Sequence, residues 1–293
     1  NGVLEETAFF GAAMALLGLA HWSRGNLDDG RACYSESVAC FETGDYLPDV
    51  MGCSLALADI QVTQGRLSDA QRTFESALRH TVEHPGLRGA ADMHVGLSLI
   101  AIEHDDLDTA DAHLRSSAEL GEHMGLPQHP YRWRVAMARL HEAQGDLDRA
   151  LELLTQAEAL YNTDFLPSVR PVTASKARIE VKRGDQHAGS RWAHAQGLSA
   201  RDELSYVCEF EHITLAGVLL AGGSADAVEQ ATGLLHRLLT AADDGHRDGS
   251  AIEILVLLAL AQSRAGDDDA ATTTLSRALT LAEPQGYVRS FLD

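Results

Sequence analysis

Residues His80-Thr81-Val82-Glu83-His84 match H-x-x-E-H. On a helix, two histidines four apart share a face and can ligate zinc with the glutamate as general base, provided a third ligand arrives from elsewhere. The competing reading is a polar helix end, because Pro85 follows at once and histidine and glutamate suit a solvated last turn. The second reading is preferred, and no metal ligand is assigned. Between Ser168 and Arg183, Arg170, Lys176, Arg178, Lys182 and Arg183 oppose only Glu180, in a chain whose net charge is −20. That stretch is either a docking site for an anionic ligand, an acidic peptide or a neighbouring domain, or a solvated helix offsetting nearby acids. No G-x-S-x-G elbow or GxxxxGK[ST] phosphate loop is present, and the histidines, spread over the whole chain, read as surface residues. No catalytic residue and no cofactor are therefore assigned. The acidity argues against direct binding of nucleic acid or an anionic membrane, whose contacts are cationic.

The elements that would position these groups are best seen in Ala138–Leu160. Val135, Met137, Ala138, Leu140 and Ala143 fall on one broad helical face. After the turn, Leu147, Ala150, Leu151, Leu154, Ala157 and Leu160 recur at spacings of three and four. Gly145 lies between, where glycine takes the left-handed conformation that ends a helix at no steric cost. Asp146 or Asp148 can then accept from the free amides of the next helix. The segment reads as a helix–turn–helix hairpin.

The same turn recurs at Gly25, Gly65, Asp105, Gly145, Gly184, Gly223 and Gly266, at separations of 40, 40, 40, 39, 39 and 43 residues. Five residues after the anchor stands a small residue (Gly30, Ala70, Ala110, Ala150, Gly189, Ala271), and nine after it a large one (Tyr34, Phe74, Leu114, Leu154, Leu275). Twelve after it stands another small one: Ser37, Ala77, Ser117, Ala157 and Ala278. Small residues let paired helices approach closely, and the large one fills the gap between hairpins. A fixed period of this length marks a helical solenoid. The hairpins are expected at about 5–42, 49–82, 86–123, 130–161, 168–197, 200–242 and 250–283, within a single array over 1–293. The sixth carries an insertion, because Ala231 follows its anchor by eight residues.

Composition agrees. A chain of 293 residues exceeds what one compact core organises, yet no linker divides it, and a solenoid needs contact only between neighbours. The longest apolar run, Ile254–Ala261, is too short to span a bilayer. Cys33, Cys40, Cys53 and Cys208 form no C-x-x-C pair and read as reduced thiols of a cytoplasmic protein. The near absence of lysine, with Lys176 and Lys182 alone, suggests a GC-rich bacterial source. There is no signal peptide, and a start without Met suggests a piece of a longer polypeptide.

Gly18, Gly25 and Tyr34, with Leu57, Gly65, Ala70, Phe74 and Ala77, resemble the tetratricopeptide (TPR) pattern, stretched to a period of 40 from the usual length of about 34. The last sixteen residues, Ala278–Asp293, resemble the close of the TPR-like sensor region in MalT-type, ATP-binding, LuxR-family transcriptional activators; Ser290 stands where members usually carry proline. The resemblance implies an all-α, right-handed superhelical solenoid of about seven hairpins, non-enzymatic. Residues 284–293 would be a junction toward a following domain. In such arrays the first helix of each hairpin lines a concave groove, chiefly three, six, ten and thirteen residues before the anchor. Counting back gives Leu19, Trp22, Asp59, Asp92, Ile102, Arg132, Val135, Arg139, Glu142, Arg178, Val181, Ile213, Leu220, Glu253 and Leu260. With Lys182, the candidate binding residues are Trp22, Asp59, Asp92, Arg132, Arg139, Glu142, Arg178 and Lys182. The groove would have apolar ends, an acidic patch in hairpins two and three, and a basic patch in four and five. Its expected partners are a small-molecule inducer, a protein or peptide, or the NTPase and DNA-binding domains of a parent regulator. The alternative is a free-standing TPR scaffold or peptide-binding adaptor.

Overall fold

A computed structural model describes residues 2–161 and 166–292; Asn1 and Asp293, the ends of the expected array, lie outside them. The described residues form fifteen α-helices, three short 3-10 turns and no strand. They pair as seven consecutive hairpins: α1 Gly2–Ser23 with α2 Leu27–Thr43, α3 Leu47–Thr63 with α4 Leu67–Glu83, and α5 Ala90–Glu103 with α6 Leu107–Leu120. Then follow α7 His129–Ala143 with α8 Leu147–Leu160, and α9 Val172–Lys182 with α10 Gln186–Ala195. The last pairs are α11 Glu209–Gly222 with α12 Ala225–Asp244, and α13 Asp248–Arg264 with α14 Asp268–Ala282; the short α15 Arg289–Leu292 closes the chain.

The turn chemistry is the repeating unit. All seven anchors hold positive φ, from +60° at Asp105 to +93° at Gly184; aspartate is among the few residues with a side chain that enter this region. Asp106, Asp146, Asp185 and Asp267 each accept a hydrogen bond from the backbone N–H three residues on, which caps the following helix. Between hairpins, a Cβ on Gly96 would lie 2.2 Å from the Phe74 ring, so the large residue of hairpin two fills a slot that only glycine leaves open. The buried Ser37 and Ser117 hydroxyls donate to the carbonyls of Gly11 and Ala91, at 2.8 and 2.9 Å, tying each second helix to its own first helix.

Two first helices begin later than the periodicity predicts. The helix expected from Ser168 starts at Val172 because Pro171 excludes the α region at Arg170. The helix expected from Ala200 starts at Glu209. There Ser199 and Asp202 satisfy their backbone locally: Ser199 N–H donates to Asp202 Oδ2 at 2.7 Å, and Arg201 N–H donates to Ser199 Oγ at 3.2 Å. Two histidines read as surface residues, His129 and His212, are buried; His129 Nε2 lies 2.9 Å from Ser117 Oγ.

The solenoid coils through more than one turn, and its last hairpins stack on its first. Trp22 Nε1 donates to the Tyr206 hydroxyl at 2.9 Å, His246 Nδ1 meets Asp28 Oδ2 at 2.8 Å, and Ser68 N–H donates to Gln285 Oε1 at 3.1 Å. These partners lie 184 to 218 residues apart, so roughly five hairpins complete a turn. Backbone meets backbone where α13 crosses α3: a Cβ on Gly249 would fall 2.8 Å from the Val62 carbonyl oxygen and 3.1 Å from that of Thr63.

Gly249→Leu tests that crossing, since neither carbonyl can rotate away. The expected result is an increased radius of gyration in small-angle scattering, unchanged helicity, and a stability loss of about 1–3 kcal/mol. Unchanged dimensions and melting temperature would show that the crossing yields.

Candidate functional site

The first helices face inward and enclose a lumen of about 520 Å³, to which every hairpin contributes: Trp22, Asp59, Glu103, Arg132, Arg178, Phe210 and Glu253 represent hairpins one to seven. Its wall is largely apolar, with Leu99, Val135, Ile213, Val218 and Leu257 among the lining residues. Such concavities, apolar with a few placed polar groups, are the usual form of a ligand site.

Of the candidates, Trp22, Asp59, Arg132, Arg139, Glu142, Arg178 and Lys182 all line this lumen. Asp92 does not. It is fully buried behind the wall, where its Oδ2 accepts the Leu126 N–H at 2.7 Å. Leu19, Ile102 and Leu220 also stay out of the lumen lining, and Leu260 lies exposed outside it. Trp22 is almost wholly covered by its neighbours, including an edge-on contact with Tyr34.

Separate acidic and basic patches do not form. Each acid reaches a base of another hairpin: Arg132 grips Asp59 with two hydrogen bonds of 2.9 and 3.0 Å, Arg139 lies 3.6 Å from Glu103, Lys182 lies 2.5 Å from Glu142, and Arg178 bonds Glu253. The charges expected to advertise themselves to a ligand form a ladder around the wall. Residues of the basic stretch on its outer side are engaged in the same way, with Lys176 2.7 Å from Glu158 and Arg183 2.7 Å from Asp148.

Arg170 differs. Sequence periodicity placed it on the helix with the other bases, but Pro171 keeps it in the preceding loop, and it lines the lumen. Its guanidinium lies 5.0 Å above the centre of the Phe210 ring, with Arg178 at 4.0 Å over the same ring. Burial lowers its pKa; Glu253 opposes that shift, and Arg139 and Arg178 reinforce it. Burial raises the Glu253 pKa, but Arg178, Arg170 and Arg139 outweigh it and hold the carboxyl below its ordinary range.

Three further residues were not selected from the sequence. Glu103, at the end of α5, accepts Ser290 N–H at 2.9 Å and Ser290 Oγ–H at 2.7 Å, and its carbonyl accepts Val288 N–H at 3.0 Å. Tyr287, between these contacts, lines the lumen, and burial raises its pKa. Phe210 lies on α11, thirteen residues before Gly223, a position that the fixed spacing itself names. The terminal segment, read as a junction, thus also forms part of the lumen wall. His80, of the H-x-x-E-H run, lies 3.3 Å from Glu42 at the array's outer side. Among the described residues no group of three or more His, Cys, Asp or Glu could hold a metal ion, and no helix is long and apolar enough to cross a membrane.

The family model for the MalT-like TPR region matches residues 3–293. The chain belongs to this family. No curated protein matches the MalT-like TPR region described here. Among solved structures it is similar to the Rap protein complexed with competence and sporulation factor, at a TM-score of 0.65 and 13% identity over 93% of this chain and 74% of that one. It is similar also to the Rap conjugation gene regulator of plasmid pLS20 in complex with the Phr* peptide, at 0.64 and 13% over 93% and 73%. A third is the APC/C hetero-tetramer Cut9–Hcn1, at 0.61 and 14% over 89% and 44%. These likenesses establish a shared TPR-type fold.

Asp92 supplies a pH test. Desolvation pushes its pKa up to about 6, against the attraction of Arg132 and the hydrogen bond from Leu126 N–H, which favour the charged carboxylate. A carboxyl whose folded pKa is raised contributes stability below its unfolded value near 4, and that contribution is lost as pH rises through about 6. Asp92→Asn should therefore gain on the wild type by up to roughly 3 kcal/mol between pH 4 and 7.5, read as a growing difference in melting temperature. A pH-independent difference would contradict the raised pKa.

Proposed function

We propose that this chain is a non-enzymatic ligand-sensing and protein-interaction module of a LuxR-family transcriptional regulator. It takes an inducer or a partner segment into the lumen. The observation that carries this reading is the lumen itself, an apolar-walled cavity built from all seven hairpins and crossed by a ladder of ion pairs. A ligand there touches repeats that are distant in sequence, so its binding favours one curvature of the coil over another, which is all that coupling to a neighbouring domain requires. Membership of the MalT-like TPR region family supports the sensing role, and two Rap-type structures of the same fold are complexes with competence and sporulation factor and with the Phr* peptide. The non-catalytic reading is supported by the side chains themselves: the lumen acids engage bases instead of converging on a vacant point where a reacting atom would sit.

Both ends of the coil support an interaction role as well. Phe9, Phe10, Leu16 and Leu17 of α1 and Leu275 and Leu279 of α14 stand exposed, whereas a terminal repeat that caps an array carries a polar outer face. The alternative of a free-standing scaffold would use the same lumen without neighbouring NTPase and DNA-binding domains.

Gly217 offers a clean block. It lines the lumen, and a Cβ there meets nothing within 4 Å. Gly217→Trp should fold normally, because the bulk enters open space. In a thermal-shift screen of metabolites and short peptides, compounds that stabilise the wild type should lose at least tenfold in affinity for this variant. Hits that bind both equally would place the site elsewhere on the molecule. A second variant, Arg139→Glu with Arg178→Glu, puts carboxylates against Glu103 and Glu253; it should abolish stabilisation by the same hits while leaving helicity intact. Undiminished stabilisation would remove the ladder from the site.

A further inference from the structure

The lumen ladder pairs Arg132, Arg139, Arg178 and Lys182 with four carboxylates, and Arg170 is left over. Among the described residues it makes no hydrogen bond and no ion pair; its contact is the face of Phe210. It is exposed, and it lines the lumen. A guanidinium cannot shed its charge in a protein, so this cation stands in the apolar-walled lumen with its fork of donors turned to no protein acceptor among the described residues. The arrangement is also fixed from outside: Pro171 holds Arg170 off the helix, and Arg178, stacked on the same ring, is held by Thr214 at 2.7 Å and by Glu253.

We infer that Arg170 is the anchor for a carboxylate, and that the lumen ligand is an amphipathic monoanion whose apolar body packs against the surrounding wall. The inference rests on the lumen being the ligand site, as proposed above, and specifies the ligand's chemistry. A lumen cation that shares Glu253 only at a distance and makes no ion pair among the described residues matches one negative charge. A carboxylate fits the planar fork with two parallel hydrogen bonds, while a dianionic group would bring a second negative charge toward Glu253 and Glu103. The guanidinium, weakly hydrated and already resting on an aromatic face, loses little by exchanging lumen water for that partner. The apolar remainder of the wall, with Val218 and Leu257, has no polar group to satisfy and suits a hydrocarbon or aromatic body. A cavity of about 520 Å³ admits either a small organic acid or the free C-terminus of a short peptide; the two share the carboxylate and differ in its source.

Calorimetry with matched probes tests this on the whole chain. The probes are 4-phenylbutyrate against 4-phenylbutanol, and an N-acetylated hydrophobic tetrapeptide with a free against an amidated C-terminus. The wild type should prefer at least one acid over its neutral counterpart by tenfold or more, and which acid does so identifies the source. Arg170→Gln, which removes the contact with Phe210 but no hydrogen bond or ion pair among the described residues, should abolish the preference, and Arg170→Lys should keep part of it. Equal binding of acid and neutral forms, a preference that survives Arg170→Gln, or no binding of either acid would overturn the inference. Gly217→Trp separates the two levels. If it abolishes binding while Arg170→Gln does not alter the preference, the lumen stands and the carboxylate anchor falls. If binding persists in Gly217→Trp, the lumen assignment itself falls.

Discussion

Everything in this protein depends on how closely one helix can approach the next. A hairpin of two short amphipathic helices cannot bury its apolar surface alone; each must be covered by its neighbours. Coverage is set by the absence of side-chain volume at particular points, as where Gly96 yields to the Phe74 ring and Gly249 to the backbone of α3. The alanines five residues after the anchors in hairpins two to four are wholly buried for the same reason. Repetition of these approaches bends the array into a coil, and the coil, once past a full turn, creates an interior that no single repeat contains.

The interior then changes the meaning of charge. On an isolated hairpin, Asp59, Arg132, Arg178 and Glu253 would be solvated surface residues of little energetic weight. Brought across the lumen they select one another, and the geometry of the coil decides which pairs form. The Arg132–Asp59 bond skips a hairpin, as does Arg178 to Glu253, so the ladder measures curvature: a flatter coil would draw both apart. Asp92, hidden behind Arg132, adds a negative charge that the wall tolerates at the cost of a raised pKa.

The fold was readable because its determinants are local. The left-handed anchor, the capping aspartate and the three-and-four spacing all lie within a few residues of each other, and their recurrence supplied the period. The same spacing located six of the eight candidate binding residues on the inner face, since position on a helix fixes direction, and Lys182 of the basic stretch joins them there. What failed was non-local or non-periodic. Asp92 obeys the spacing but lies where the chain from Gly125 to His129 crosses behind the wall. Arg170 falls inside the helix that the periodicity predicts from Ser168, although Pro171 beside it carries the contrary signal. Glu103 and Tyr287 enter the site through contacts across the turn of the coil, which no spacing within one repeat encodes, whereas Phe210 stands thirteen residues before its anchor, where the spacing already points.

The stacking of the last hairpins on the first bears on how the molecule comes apart. A linear array frays from its termini, losing repeats one at a time, because the outermost hairpin has a neighbour on one side only. Here Trp22 and Asp28 of the first hairpin also hold Tyr206 and His246, nearly two hundred residues onward. To release either end, contacts must break along the chain and between turns together. Such a coil behaves less like a zipper and more like a barrel under its hoops: unfolding is expected in a single cooperative step, and a molecule wedged in the middle would be felt at every stave.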